Sequence, residues 1–329
     1  MAKRFSFTFP KVSDALNGID AIGKQVAVLN PFALKERGTK GKAIFALCIV
    51  CFFWGTTWVA SKEGVRYMPP LQLAGLRQTI AGLLYVTYFL AKKEALPKGK
   101  EWLTVIVLSF LNFMLSNALS TWGVKYISAG LGSIIGSIFP LWLVVIALFG
   151  SGTIVNRQTA VGVALGFTGI CVIFYQHLAD FLNPNFRFGI FLSVASTWSW
   201  AFGTLYTKTQ AEKFNPYFSL GLQMLISGPL VYGVAVFTNN SVPFAQIPWQ
   251  SWAAIAYLVL FGSLLSFVAY LYALQNLSTE QASLYVYINP VVALLVGALL
   301  FDEKLTAVIV VGVLITLYGV RLVNKAAKE

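Results

Sequence analysis

The chain has 329 residues, of which 57% are hydrophobic, 15% aromatic and 11% charged. Soluble domains carry about 25% charged residues, so this composition excludes that class. Lys and Arg outnumber Asp and Glu by 24 to 12, a net charge of +12, which topology and anionic lipid headgroups account for without any nucleic acid partner.

In chain order, residues 1–42 come first and differ from the rest. Val12, Leu16, Ile19, Ile22, Val26 and Leu29 recur at steps of three and four, with Pro10 and Ser13 before them. That spacing describes an amphipathic helix lying on the cytoplasmic membrane surface, with a partly disordered basic leader as the alternative. No apolar run precedes residue 42, so no cleavable signal peptide is expected. Apolar stretches long enough to cross a hydrocarbon core of about 30 Å then follow at 43–61, 71–91, 102–122, 129–149, 157–175, 188–207, 217–237, 251–273, 281–300 and 305–323. Within lipid each must be helical, because no water is present to satisfy open backbone groups. The expected fold is therefore all-α: a polytopic membrane protein of ten transmembrane helices with a short tail at 324–329.

The chain also repeats itself. Trp102, Ser128, Ser133, Pro140, Gly162 and Gly169 recur at a constant offset as Trp252, Ser278, Ser283, Pro290, Gly312 and Gly319. Five helices per repeat, at 43–175 and 188–323, is an odd number, so the second copy must enter the membrane from the opposite side. The expected arrangement is two inverted repeats, a plan common among secondary transporters. Placing both termini in the cytoplasm puts 18 of the 24 Lys and Arg residues inside and 5 outside, leaving Arg77 alone within a span. This agrees with the positive-inside rule.

The first span carries Phe53-Trp54-Gly55-Thr56-Thr57-Trp58-Val59-Ala60-Ser61-Lys62, followed by Pro69-Pro70 and Leu73-Ala74-Gly75-Leu76-Arg77. A second copy begins at Trp200-Ala201-Phe202-Gly203-Thr204 and runs through Pro216 to Gln223, and the chain closes on Phe301-Asp302-Glu303-Lys304-Leu305-Thr306. In this ordered set the sequence resembles the EamA-type transporters of the drug/metabolite transporter superfamily. The resemblance implies an exporter or exchanger of small metabolites such as amino acids, working by alternating access in the inner (cytoplasmic) membrane. One position departs from the duplication: Thr153 stands where Glu303 stands in the second copy. Glu303 is accordingly expected to cap or orient the tenth helix.

Several residues are candidates for a cavity between the repeats. Asn112, Asn117, Gln223 and Asn289 are expensive to bury in a membrane, and Trp54, Thr57, Arg77 and Trp200 join them as candidate substrate-binding residues. Structural roles compete at each position, since Ser and Thr bond to backbone within helices and Trp anchors membrane interfaces. Pro140 and Pro290 are expected to kink their helices. Gly132 and Gly136 form a GxxxG face, while Gly162 with Gly169 and Gly312 with Gly319 are spaced two turns apart for close helix packing. That spacing also resembles the contact helix of small-multidrug-resistance subunits, which implies that the fifth and tenth helices hold the repeats together.

The remaining chemistry is sparse. Asp and Glu fall outside the spans, and the one histidine, His177, lies in a predicted outside loop. No catalytic residue, metal site or cofactor is therefore expected, nor proton coupling through a buried carboxylate. Cys48 and Cys51 read as small apolar residues. The expected partners are a small-molecule substrate and membrane lipids; monomer and homodimer both fit. A receptor, chaperone or channel built on the same bundle is the alternative to a transporter.

Overall fold

With no water to satisfy backbone groups in lipid, every apolar span must close its own hydrogen bonds, and the structure is built accordingly. The computed structural model describes residues 40–151, 157–175, 177–210, 214–277, 284–303 and 305–326. The expected surface helix up to residue 39, Thr153, Ser278, Ser283 and the end of the tail lie outside the described residues. Ten helical elements account for the ten spans: α1 (Lys40–Tyr67), α2 (Pro70–Ala91), α3 (Lys100–Gly123), α4 (Ala129–Ser137, resumed as Phe139–Ser151), α5 (Arg157–Tyr175), α6 (Pro184–Gln210), α7 (Pro216–Phe237), α8 (Trp249–Tyr257, Leu258–Leu265 and Ser266–Asn276), α9 (Tyr285–Phe301) and α10 (Ala307–Ala326). Seven of the described helices are long and apolar enough to cross a membrane, and α9 and α10 are apolar but shorter. The polarity of α2 comes from Gln72, Arg77 and Gln78, all buried, while its exposed side carries Leu83, Leu84 and Leu90.

Helix ends repeat as well as helix bodies. Pro70 and Pro216 each occupy the first turn of their helices, where a missing N–H costs nothing. The same two helices close on matching left-handed residues, Lys93 at φ 59° and Asn239 at φ 51°. In each, the next amide reaches back over the last turn, Glu94 to the Phe89 carbonyl at 3.0 Å and Asn240 to the Ala235 carbonyl at 2.8 Å, which is the Schellman closure.

The two most extensively packed pairs, α2 with α7 and α5 with α10, join counterpart helices of the two repeats. Both pairs run antiparallel. On α5, a methyl added at Gly162 would stand 2.8 Å from the Gly319 carbonyl oxygen, and one at Gly169 would stand 2.6 Å from that of Gly312. The contacts are reciprocal, with Gly312 facing the Gly169 carbonyl at 2.9 Å and Gly319 facing that of Gly162 at 2.6 Å. Likewise Gly75 lies against Tyr232 and Gly228, while Gly221 lies against Tyr85 and Val86. Such self-complementary contacts are the mark of a local two-fold axis, here relating two halves of one chain.

The two largest buried clusters among the described residues draw on different helices. One centres on α2, α3, α7 and α8, with Phe89, Tyr217, Phe218 and Leu258; the other on α4, α5, α9 and α10, with Ile134, Leu141, Ile173 and Val313. Exposed Phe45, Leu103, Phe191, Leu299 and Leu314 cover the outside, as a lipid-facing surface requires.

Three expectations change in the structure. Gly132 and Gly136 receive the indole of Trp58, at 3.0 and 2.9 Å from where a methyl would sit, rather than another helix backbone. Glu303 caps α4, not α10: its Oε1 accepts from the Ala129 amide at 2.7 Å and its Oε2 from the Gly130 amide at 3.2 Å. A carboxylate at a helix N-terminus meets both free donors and the positive end of the helix dipole, and it thereby ties the second repeat to the first. Finally, α3 and α8 are not continuous α-helices; each contains a π-helical stretch, Ser109–Asn117 and Leu258–Leu265, at matching positions of the two copies.

The glycine seam yields a direct test. Gly169→Ala forces a methyl to within 2.5 Å of the Thr316 amide nitrogen, whereas Gly233→Ala meets nothing within 4 Å. Overpacking of this kind costs about 1–3 kcal/mol, while Gly→Ala in an open helix interior gains roughly 0.5–1 kcal/mol. Melting of the purified protein in detergent should fall for Gly169→Ala and hold or rise for Gly233→Ala; equal melting would place Gly169 in lipid.

Candidate functional site

A cavity of about 220 Å³ lies between the two clusters. Eight helices line it, α1 to α4 and α6 to α9, while α5 and α10 contribute nothing. Each half therefore gives four helices to the cavity and keeps its fifth for the glycine seam.

The proline positions explain part of the lining. α4 breaks at Ile138, two residues before Pro140, and Pro290 sits within the second turn of α9. A proline withholds the donor owed to the carbonyl four residues back, which is Gly136 in one copy and Val286 in the other. Both residues line the cavity.

The π-helical stretches supply the next layer. A π turn loosens the carbonyl ladder and leaves acceptors to be met from outside. In α3, Gln78 Nε2 donates to the Phe113 carbonyl at 3.2 Å and Ser199 Oγ to that of Leu111 at 2.7 Å. In α8, Tyr85 Oη donates to the Ser263 carbonyl at 2.9 Å and Trp54 Nε1 to that of Gly262 at 3.2 Å. The two halves thus use different side chains for the same task.

Seven of the eight candidate residues line this cavity: Trp54, Thr57, Arg77, Asn112, Asn117, Trp200 and Asn289. Gln223 does not. It is buried beside the cavity, accepting from Asn112 Nδ2 at 3.4 Å and donating to Ser219 Oγ at 3.0 Å. Trp54 stands in an aromatic cluster with Phe267, Tyr270 and Tyr285, ring centres 5.1–5.2 Å away. Trp58 walls another side, whereas Trp198 packs on Trp142 at 4.9 Å and does not line the cavity. With its nitrogen turned toward the acceptors around it, Asn289 donates to the carbonyls of Tyr285 at 3.1 Å and Cys51 at 3.0 Å, tying the turn before Pro290 to α1.

Arg77 is only 8% exposed. Its Nε donates to Ser263 Oγ at 3.2 Å, and a methyl at Gly262 would stand 3.1 Å from its Nη2. The guanidinium and the Thr57 methyl, 2.8 Å from the same point, share the space that the absent side chain of Gly262 leaves. Among the described residues no carboxylate pairs with it.

Gln78, which sequence reasoning passed over, is the most connected polar side chain here. It is 2% exposed and bonds the Phe113 carbonyl, Asn117 Oδ1 at 3.1 Å and Ser227 Oγ at 2.7 Å, joining α2, α3 and α7. A glutamine one step from Arg77 on an apolar helix was the available signal.

A family model described as the EamA-like transporter family matches residues 41–175 and then 187–325. The chain belongs to that family. It is 27% identical to an uncharacterized transporter, YvbV, of Bacillus subtilis, over 88% of this chain and 93% of that protein. Identity is 29% to the uncharacterized inner membrane transporter YedA of Escherichia coli K12, over 81% and 84%, and 28% to a chloroplastic WAT1-related protein of Arabidopsis thaliana, over 83% and 67%. A solved crystal structure shares the fold with a TM-score of 0.61 at 16% identity, covering 88% of this chain and all of that one. The chain is a membrane protein of this transporter family, and both matched regions span five of the helices described above.

Replacing Gln78 by Leu removes three hydrogen bonds and strands the Phe113 carbonyl and the Asn117 amide oxygen. An unsatisfied buried polar group costs about 1–3 kcal/mol, so Gln78→Leu should lower the melting temperature in detergent, while Met224→Leu, at the matching position of α7, should not. Unchanged melting of Gln78→Leu would mean that water replaces the amide.

Proposed function

We propose that the chain is a secondary transporter that exports or exchanges small metabolites, amino acids among them, through the central cavity by alternating access. One observation carries this reading: a cavity lined by polar and aromatic side chains from four helices of each half, flanked by antiparallel counterpart pairs. Two repeats of opposite membrane orientation can rock about such an axis, exposing the same site first to one side and then to the other. The cavity volume suits a metabolite rather than a drug-sized ligand, whose pockets run about 300–1,000 Å³. In this reading the repeats at 43–175 and 188–323 are inverted, both termini are cytoplasmic and the membrane is the cell's inner membrane, as for YedA.

Two measurements test it. In a background lacking Cys48, Cys51 and Cys171, a membrane-impermeant thiol reagent added outside intact cells should label Asn240→Cys and not Lys98→Cys; the reverse would overturn the orientation. In proteoliposomes, uptake of a transported metabolite should saturate and be accelerated by the same compound on the far side. Flux that rises linearly without saturation would indicate a channel, and no solute-dependent flux a receptor or chaperone.

A further inference from the structure

We infer that Arg77 is the anion-binding residue of the cavity, and that the solute carried is a small organic monoanion presenting a carboxylate on a compact apolar body. This rests on the transport reading above and narrows its substrates from small metabolites in general, amino acids among them, to monoanions.

The argument begins with the broken symmetry of the two halves. Arg77 on α2 corresponds to Gln223 on α7, and Gly262 on α8 to Asn112 on α3. In the first arrangement Asn112 and Gln223 close on each other at 3.4 Å, and Gln223 is withdrawn from the cavity. That pair carries no charge, and it leaves only Asn112 Oδ1 without a partner. In the second, the amide is gone, glycine stands in its place, and the room it leaves is shared by the Thr57 methyl and the guanidinium. A junction needing only structure had a neutral solution available in the same fold.

What the guanidinium leaves open points to its ligand. One of its nitrogens, Nε, is used on Ser263. The residue lines the cavity and, among the described residues, has no carboxylate partner. A buried cation lacking a counter-charge is costly, and the terminal N–H groups of arginine form a planar fork that matches a carboxylate in two parallel hydrogen bonds. Among the described residues Arg77 is the one Lys or Arg on the cavity wall, so a monoanion balances the site while a dianion leaves it negative. Around it the wall is aromatic, with Trp54, Trp58, Phe113, Trp200 and Phe267, which suits an apolar body.

Proteoliposomes holding the wild-type chain are incubated with a whole small-molecule extract of bacterial cells, and the solutes enriched inside are identified by mass spectrometry. The expected enriched solutes are monocarboxylates without an ammonium group, so a 2-oxo acid should be taken up in preference to its amino acid counterpart, and the reverse preference would overturn the assignment. Arg77→Gln, which installs the residue of the other half, should cut their uptake about tenfold or more, the worth of a charged hydrogen bond, and Arg77→Lys should retain an intermediate rate. Melting of empty Arg77→Gln should equal or exceed that of wild type, because an uncompensated buried charge has been removed. Enrichment of neutral or cationic solutes, enrichment of phosphate esters in place of carboxylates, or undiminished uptake by Arg77→Gln would each overturn the assignment. So would a marked fall in the melting of Arg77→Gln, which marks a purely structural arginine. No enrichment by the wild-type chain would overturn the transport reading and the substrate class with it, whatever the melting curves show.

Discussion

Close approach of helix backbones is the constraint on which the rest of this molecule depends. Lipid tails are as apolar as leucine, so hydrophobic burial does not draw helices together within a membrane; van der Waals packing and polar contacts must do it. Glycines at 162, 169, 312 and 319 let α5 and α10 meet backbone to backbone, and those at 75, 221 and 228 do the same for α2 and α7. Because the partners in each pair are copies of one another, each contact is made twice. The duplication thus supplies both surfaces of its own interface; α5 and α10 serve that interface alone, while α2 and α7 both pack on each other and join the remaining helices around a cavity.

That cavity gathers polar side chains among aromatic ones inside an apolar solvent, and its construction follows from the rule that buried backbone groups find partners. Prolines at 140 and 290 and π turns in α3 and α8 release carbonyls at equivalent places in the two copies. The donors that answer them differ between copies: Gln78 and Ser199 on one side, Tyr85 and Trp54 on the other. Backbone irregularity has been kept through the duplication while side chains diverged around it. The site is therefore symmetric in its frame and asymmetric in its chemistry, and Arg77 is the sharpest instance.

Much of this was legible in the residues. All ten spans lie within a few positions of the observed helices, because a run of apolar residues bounded by Pro, Asn or Lys has one reading in lipid. The packing glycines at 162, 169, 312 and 319 were legible through their spacing. Composition alone could not say which side of a helix meets which neighbour. Gln223 and Asn112 were equally good candidates by burial cost, yet one faces the cavity and the other faces Ser219, a difference set by the rotation of α7. Gln78 escaped notice beside a more conspicuous charge. The π turns left no mark in hydropathy, since inserting one residue into a helix alters register and not composition. Glu303 was read as serving the helix that follows it in sequence, whereas its carboxylate crosses to α4, a long-range contact that a local rule does not find.

The glycine seam has a consequence for how the protein is made. Helices enter the membrane in the order of synthesis, and α5 is complete long before α10 exists. Through that interval the face of α5 bearing Gly162 and Gly169 lacks the α10 backbone that it is shaped to accept. A small-residue face of this kind is adhesive in lipid, so the half-made chain presents a surface able to pair with another copy of itself. The chain's own tenth helix holds the advantage of tethering, since a partner on the same polypeptide competes at high effective concentration. The order of insertion makes closure of the seam wait for α10, and the native intramolecular pairing depends on α10 arriving before a neighbouring chain does.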